Sequence, residues 1–283
     1  MVSKVVISTD CVCDLPEKLV EKFNIWMMYY YMQVGEVRFR DIDEIDSDGI
    51  LDYMSEGKYE IRSFCANVEE YRSFFDKVSG GGKMTVIHIA IAKEISNGFQ
   101  NAVDAAKYFP DIHVIDSGMV SSAMGALVLV AADMGQKGAT KDIILKRLEA
   151  VKSKINCRFV MRSAQGLGRS KRTSKAWRKI CHLFSLHPYI GMKNSAFSLL
   201  GFCMGNHEKC ISKYINKCLG DEEKVSDEVL FVLTAGCDYE VEKYILEEVK
   251  KRINWKNIYV VKPSATISCN SGSGAFGLAF FYK

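Results

Sequence analysis

The chain has 283 residues, of which 48% are hydrophobic and 25% charged, a balance that suits a soluble globular protein with room for two modest domains. Its longest apolar stretches, such as Ile112 to Ile115 and Val229 to Leu233, fall far short of the ~20 residues a membrane helix needs, so stable membrane insertion is not expected. The net charge of +4 is small for a nucleic-acid-binding protein.

The first residues, Met1 to Asp10, form a β-rich run ending in a carboxylate, where a signal peptide would need a long apolar segment; a cytoplasmic location is the expectation. Hydrophobic periodicity predicts strands at Lys4 to Thr9, Ile25 to Val34, Met84 to Ile91 and Ile112 to Ile115. Helical patterns alternate with them near Pro16 to Phe23, Val68 to Val78, Ile95 to Tyr108, Met119 to Met134 and Lys141 to Lys154. Such alternation means a Rossmann-like parallel sheet with helices on both faces. From Ala150 through His207 there is no Asp or Glu, while eleven Lys and Arg residues, from Lys152 to Lys193, make this stretch basic. That change of character marks a boundary near Asn156. Beyond it, helices at Glu208 to Leu219 and Tyr239 to Arg252, with strands at Val229 to Thr234, Ile258 to Val261 and Leu278 to Tyr282, make a second α/β domain. The expected division is 1–155 and 156–283.

Within this frame Ile89 to Ala102 reads as a buried strand, a short polar loop and the start of an Ala-rich helix, with Ser96 in the loop. Ligands of open α/β sheets bind beyond the carboxyl ends of the strands, and a helix N-terminus there favours an anion. Thr9-Asp10 and Asp116-Ser117 should close neighbouring strands on the same rim as Ser96. For any one such Asp, capping an adjacent turn is the commoner use. Gly272 to Gly277 satisfies G-x-G-x-x-G, but the chain offers no following helix or acidic residue about 20 positions on, so no dinucleotide and no other cofactor is called for. These glycines suit close backbone approach to a ligand or to the other domain.

The segment Gln165 to Arg172 and its basic continuation suggest nucleic acid. The acidic patch of Glu36, Asp41, Asp43, Glu44, Asp46 and Asp48 makes the surface dipolar and fits a protein partner better, so nucleic acid is disfavoured. Ten scattered cysteines read as reduced thiols rather than a disulfide scaffold. A metal cluster of Cys203, His207, Cys210 and Cys218 lacks the paired C-x2-C knuckles of structural zinc sites, and no metal is expected. His88 and His113 sit in predicted strands as core residues, and no nucleophile has a recognisable base, so no catalytic residue is assigned.

Taken in order, the motifs resemble those of the bacterial DegV family of fatty-acid-binding proteins, which includes the lipid-carrying subunits of fatty acid kinase. Thr9-Asp10-Cys-Val-Cys-Asp14-Leu15-Pro16 looks like the family's T-D-S-T-x-D-L-P, Arg62-Ser63-Phe-Cys-Ala66 its T-S-Q-P-S, and Ile95-Ser96-Asn97-Gly98-Phe-Gln100 its L-S-G-T-Y-Q. Asp116-Ser117, Gly168-Arg169, His187-Pro188 and Asn270-Ser271-Gly272-Ser-Gly274-Ala275 stand where the family has D-S, G-R, K-P and H-x-G-P-G-A. Each motif is weak alone; seven in order span the chain.

The resemblance implies a two-domain DegV-like α/β fold that encloses a long-chain fatty acid in an interdomain tunnel. Carried over by position, Arg62, Ser63, Ser96, Asn97, Gly98, Asn270, Ser271 and Gly272 surround the carboxylate. It further implies a non-catalytic carrier that presents the acid to a separate ATP-using fatty acid kinase subunit, with Arg169 and Arg172 as docking residues. Two departures matter. Asn270 stands where the family has histidine, and Arg62 where it has threonine. A forked guanidinium can hold both carboxylate oxygens, so Arg62 becomes a candidate to replace the missing charge. A carrier of another anionic small molecule and a nucleic-acid or protein adaptor using the basic face are the alternative readings; a hydrolase of acyl esters is a third.

Overall fold

A computed structural model describes residues 5–162 and 186–283. The first strand, β1 (Val6–Asp10), is buried along its whole length, which fits a central parallel strand covered on both faces. It pairs in parallel with β2 (Trp26–Met28) on one side and β6 (Val86–Ala90) on the other, and β6 pairs in parallel with β7 (Ile112–Asp116), giving the order β2-β1-β6-β7. This is the sheet that periodicity predicts, with one difference. The apolar run Ile25 to Val34 is not one strand: it breaks after Met28 and resumes as β3 (Tyr31–Val34) in a separate antiparallel sheet of order β4-β3-β5, with β4 (Val37–Arg40) and β5 (Ile61–Phe64). At the break Tyr30 is buried and its N–H donates to Cys11 Sγ at 3.2 Å.

Helices α1 (Glu17–Phe23), α3 (Val68–Ser79), α4 (Gly98–Ala106), α5 (Ser121–Gln136) and α6 (Lys141–Lys152) lie close to their predicted ranges. The start of α3 is fixed by a capping box: Asn67 Oδ1 accepts from the Glu70 N–H and the Glu70 carboxylate accepts from the Asn67 N–H. α2 (Ser47–Glu56), capped by Asp46, has no counterpart in the periodicity reading. α5 is apolar nearly all round, as a helix covered on every side must be. It lies between the parallel sheet and the second large sheet, sharing one core with Ile7, Ile87, Phe231, Leu233 and Ala279.

The second sheet has six strands in the order β10-β9-β8-β13-β11-β12: β8 (Arg158–Val160), β9 (Leu186–Lys193), β10 (Ala196–Met204), β11 (Val225–Ala235), β12 (Ile258–Val261) and β13 (Ala275–Tyr282). Only β11 and β12 are parallel. The β9–β10 hairpin falls inside the basic stretch; its turn, Asn194-Ser195, has φ of 51° and 60°, the left-handed pair that suits the twist of a tight hairpin. α7 (His207–Leu219) and α8 (Tyr239–Lys250) cover the far face of this sheet over a core of Tyr214, Phe276 and Phe280.

One late element crosses back. α9 (Ala265–Ser271) packs on α2 and β3, with Ala265 and Cys269 in a core that holds Met32, Val34 and Ile50. Asp41, read from sequence as part of an exposed acidic patch, is instead fully buried, accepting from the N–H groups of Ala265 at 2.7 Å and Thr266 at 2.9 Å. The N-terminal N–H groups of a helix need such acceptors, and in a buried setting a carboxylate supplies them. No helix among the described residues is long and apolar enough to cross a membrane.

Candidate functional site

A cavity of about 1190 Å³ opens between the two large sheets. From the N-terminal half it is lined by Tyr30, β5, the 91–97 loop and the start of α5; from the C-terminal half by β8, β10, the ends of β11 and β13, and α9. Most of the wall is apolar, with Val120, Ala123, Phe159, Ile190, Phe197, Phe202, Leu233 and Ile267 among its residues. Polar side chains also converge on it: Ser63, Ser96, Asn97, Thr266, Asn270 and Ser271.

Ser96 reaches this place because β6 ends at Ala90 and the chain turns at once, with the Ile95 N–H donating to the Ala92 carbonyl at 2.9 Å. The Ser96 hydroxyl accepts from the Gly98 N–H at 3.1 Å, which opens α4, and lies 3.2 Å from the Tyr30 hydroxyl. Behind Tyr30 stands Asp10, fully buried: it accepts from the Tyr71 hydroxyl at 2.5 Å, the Ile91 N–H at 2.9 Å and, more weakly, Tyr30 at 3.4 Å. His88 sits beside it, with Nε2 at 3.3 Å from Asp10 and Nδ1 at 3.0 Å from Ser8 Oγ. Burial and the Asp10 charge push the Tyr30 phenol well above its ordinary pKa, so it stays protonated, and either hydroxyl can donate in its contact with Ser96.

On the opposite wall, α9 presents Asn270, whose Nδ2 donates to Ser63 Oγ at 3.2 Å and to the Thr266 carbonyl at 2.7 Å. The buried Ser271 hydroxyl has no hydrogen-bond partner among the described residues. An unsatisfied buried hydroxyl is costly, and here it lies on the cavity wall, where a polar ligand atom can satisfy it. Two thiols, Cys65 and Cys157, also line the cavity; burial raises both, Cys157 to about 11, which keeps them as neutral thiols.

Five of the eight ligand residues expected from sequence therefore line one cavity: Ser63, Ser96, Asn97, Asn270 and Ser271. Gly98 and Gly272 do not; Gly98 sits beneath Tyr30, with its N–H held by Ser96. Arg62 is also absent from the wall, for a reason that follows from strand geometry. Successive side chains of β5 alternate, so with Ser63 facing the cavity Arg62 faces away. Its side chain is 61% exposed and its guanidinium is paired with Glu60 at 2.6 Å. Arg169 and Arg172 lie outside the described residues.

The rim residues are used structurally. Asp116 accepts from the N–H groups of Gly118 at 2.9 Å and Lys93 at 3.2 Å, and from the hydroxyl of Ser195 at 2.8 Å, so it ties the 91–97 loop to the β9–β10 hairpin. Gly277 permits close packing, since a Cβ there would meet the Arg158 carbonyl and Phe159 Cβ at 3.1 Å. No three His, Cys, Asp or Glu side chains among the described residues converge as metal ligands, and Cys218 points instead into the core against Tyr189. The nine described cysteines form no disulfide. Tyr30 and Thr266 escape the sequence reading. Nothing in Tyr29-Tyr30-Tyr31 says which ring turns inward, whereas Ser264 ahead of Ala265 to Ser268 is a legible helix N-cap signal.

Ser63, Ser96, Asn97, Thr266, Asn270 and Ser271 place neutral hydrogen-bonding groups in a mostly apolar cavity wall. The same architecture recurs in solved structures. A fatty-acid-binding DegV family protein from Thermus thermophilus superposes with a TM-score of 0.88 at 21% identity, covering 99% of this chain and all of that one. The Streptococcus pneumoniae Fatty Acid Kinase (Fak) B3 protein loaded with linoleic acid gives 0.84 at 17% identity over 99% of this chain and all of its own. In sequence, a DegV domain-containing protein of Clostridium acetobutylicum is 25% identical over 288 residues, covering 99% of each chain. A family model described as "Uncharacterised protein, DegV family" matches residues 4–283, and on that match the chain belongs to the DegV family.

Proposed function

We propose that this protein carries a long-chain fatty acid in the cavity between its sheets, with the carboxylate near Ser96, and presents it to a separate ATP-using fatty acid kinase subunit. The observation that carries the reading is the cavity itself: about 1190 Å³, walled by apolar side chains and furnished with Ser63, Ser96, Asn270 and Ser271. Ligand pockets usually measure about 300–1,000 Å³, so there is room for a long flexible chain. Burying roughly fifteen methylenes at about 0.8 kcal/mol each gives about 12 kcal/mol before association and ordering costs, so the tail supplies affinity and the polar groups fix orientation. The fatty acids named in the related structures support the same ligand class.

The division of labour belongs to the proposal: residues 1–155 contribute Ser63 and Ser96, and residues 156–283 close the tunnel. In this reading the protein is a carrier in the cytoplasm, and phosphorylation of the carboxylate is the partner's chemistry. Ser96 and Tyr30 then act only as hydrogen-bonding groups. Native mass spectrometry and lipid extraction of purified protein test the binding; recovery of no lipid, with no binding of added long-chain acids, rejects it. Incubation of the loaded protein with a fatty acid kinase subunit and ATP tests presentation, acyl phosphate being the expected product.

A further inference from the structure

We propose that Lys93 supplies the positive charge for the ligand carboxylate, an assignment that rests on the fatty-acid reading above. A carboxylate taken out of water needs a cation or a dense set of donors, because the desolvation cost is several kcal/mol. Ser96, Ser63 and Asn270 are neutral, and Arg62 is turned outward onto Glu60. Among the described residues that line the cavity only Lys93 and Arg158 are cationic. The Arg158 side chain is engaged by Tyr189 and Cys218, residues of the core beneath α7, on the far face of the second sheet.

Lys93 stands three residues before Ser96 in the same tight turn, and both residues line the cavity. Its backbone is fixed by the bond from its N–H to Asp116, so the side chain starts from a defined point at the cavity mouth. The ammonium takes part in none of the ion pairs among the described residues. Its neighbour Glu94 also lines the cavity. A lysine with a four-carbon stem, exposed and in no ion pair among the described residues, can fold inward over the carboxylate and open outward to release it. It thus acts as a specificity residue, favouring acids over uncharged lipids of the same length.

The test compares binding of oleic acid and oleyl alcohol to the full-length protein, stripped of lipid, and to its Lys93→Met and Lys93→Arg variants. The expected result is about a tenfold loss of oleic acid affinity in Lys93→Met, retention in Lys93→Arg, and unchanged alcohol binding in both. Equal acid affinity in wild type and Lys93→Met overturns the assignment, as does an equal loss for acid and alcohol. Wild-type protein that binds neither lipid rejects the fatty-acid reading itself, and the lysine assignment with it.

Discussion

The Asp14 carboxylate accepts the backbone N–H of Ser264 at 2.8 Å, joining points 250 residues apart in the chain. Its other oxygen accepts the hydroxyl of Ser121, which lines the cavity at the start of α5. Asp14 thus ties together two elements of the cavity wall, in a buried place where Asp41 adds a second carboxylate and Cys13 a third titratable group. Burial pushes its pKa from 3.8 up to about 7, against the pull of the Ser121 and Ser264 hydrogen bonds.

A carboxyl group whose pKa is raised by folding binds its proton more tightly in the folded state. Its contribution to stability is complete below about pH 4 and is lost as pH rises through about 7. Asp14→Asn removes that titration while keeping the acceptor for Ser264. The expected result, from denaturant titrations between pH 4 and 8, is a variant that gains on wild type as pH rises, by at most about 1.4 kcal/mol per pH unit. A difference that stays flat over this range rejects the assignment.

Asp111 has the opposite sign. Hydrogen bonds from Lys141, Thr85 and His113, in that order, hold its carboxyl well below the usual range. Its stabilisation is present above about pH 4 and is lost as pH falls through the depressed folded value. Asp111→Asn therefore lowers the melting temperature at pH 7, and the gap to wild type narrows below pH 4. The site is one-third exposed, so solvent screening keeps the effect modest.

Gly98 stands at the first position of α4, where alanine ordinarily favours a helix by about 1 kcal/mol. Here a Cβ would lie 2.0 Å from the Tyr30 hydroxyl and 3.2 Å from that of Tyr71. Gly98→Ala must displace the ring that links Ser96 to Asp10. Overpacking of this kind costs about 1–3 kcal/mol, so the net change in a denaturant titration is a loss. A gain in stability would show that Tyr30 yields freely.

Ser96→Ala deletes the hydroxyl that links the cavity loop to Tyr30 and, in the proposed function, touches the ligand carboxylate. The expected result is about a tenfold weaker affinity for a long-chain acid in a displacement assay, with little change in melting temperature. Unchanged affinity would remove Ser96 from the head-group site.

The parallel sheet was legible because its strands are short apolar runs separated by amphipathic helices such as α3 and α4, the pattern that burial on both faces imposes. The region from Tyr31 to Phe64 was not. Its strands are four residues long and half exposed, so no periodicity survives, and an apolar run spanning two sheets reads as one strand. Ser96 was placed on the cavity wall by its strand–loop–helix pattern, and Ser63 and Asn270 by ordered motifs, which carry positions but not the faces of strands. Arg62 shows the limit: its charge suits a carboxylate, yet alternation against Ser63 turns it to solvent. Asp41 shows the converse, a residue that looks like surface charge and works as a buried helix cap.

The return of α9 to the first third of the chain has a consequence for how the protein is made. The core of Met32, Val34 and Ile50 stays open until Ala265 and Cys269 have been synthesised, so the early part of a nascent chain emerges with an uncovered apolar face. Contacts this distant in sequence slow the search for the native state. Slow decoding or early release before residue 265 would leave a fragment whose parallel sheet can form but whose small sheet is sticky, a species for chaperones to hold. Ser63 of β5 and Asn270 of α9, 207 residues apart, meet across the cavity only once this last helix has docked.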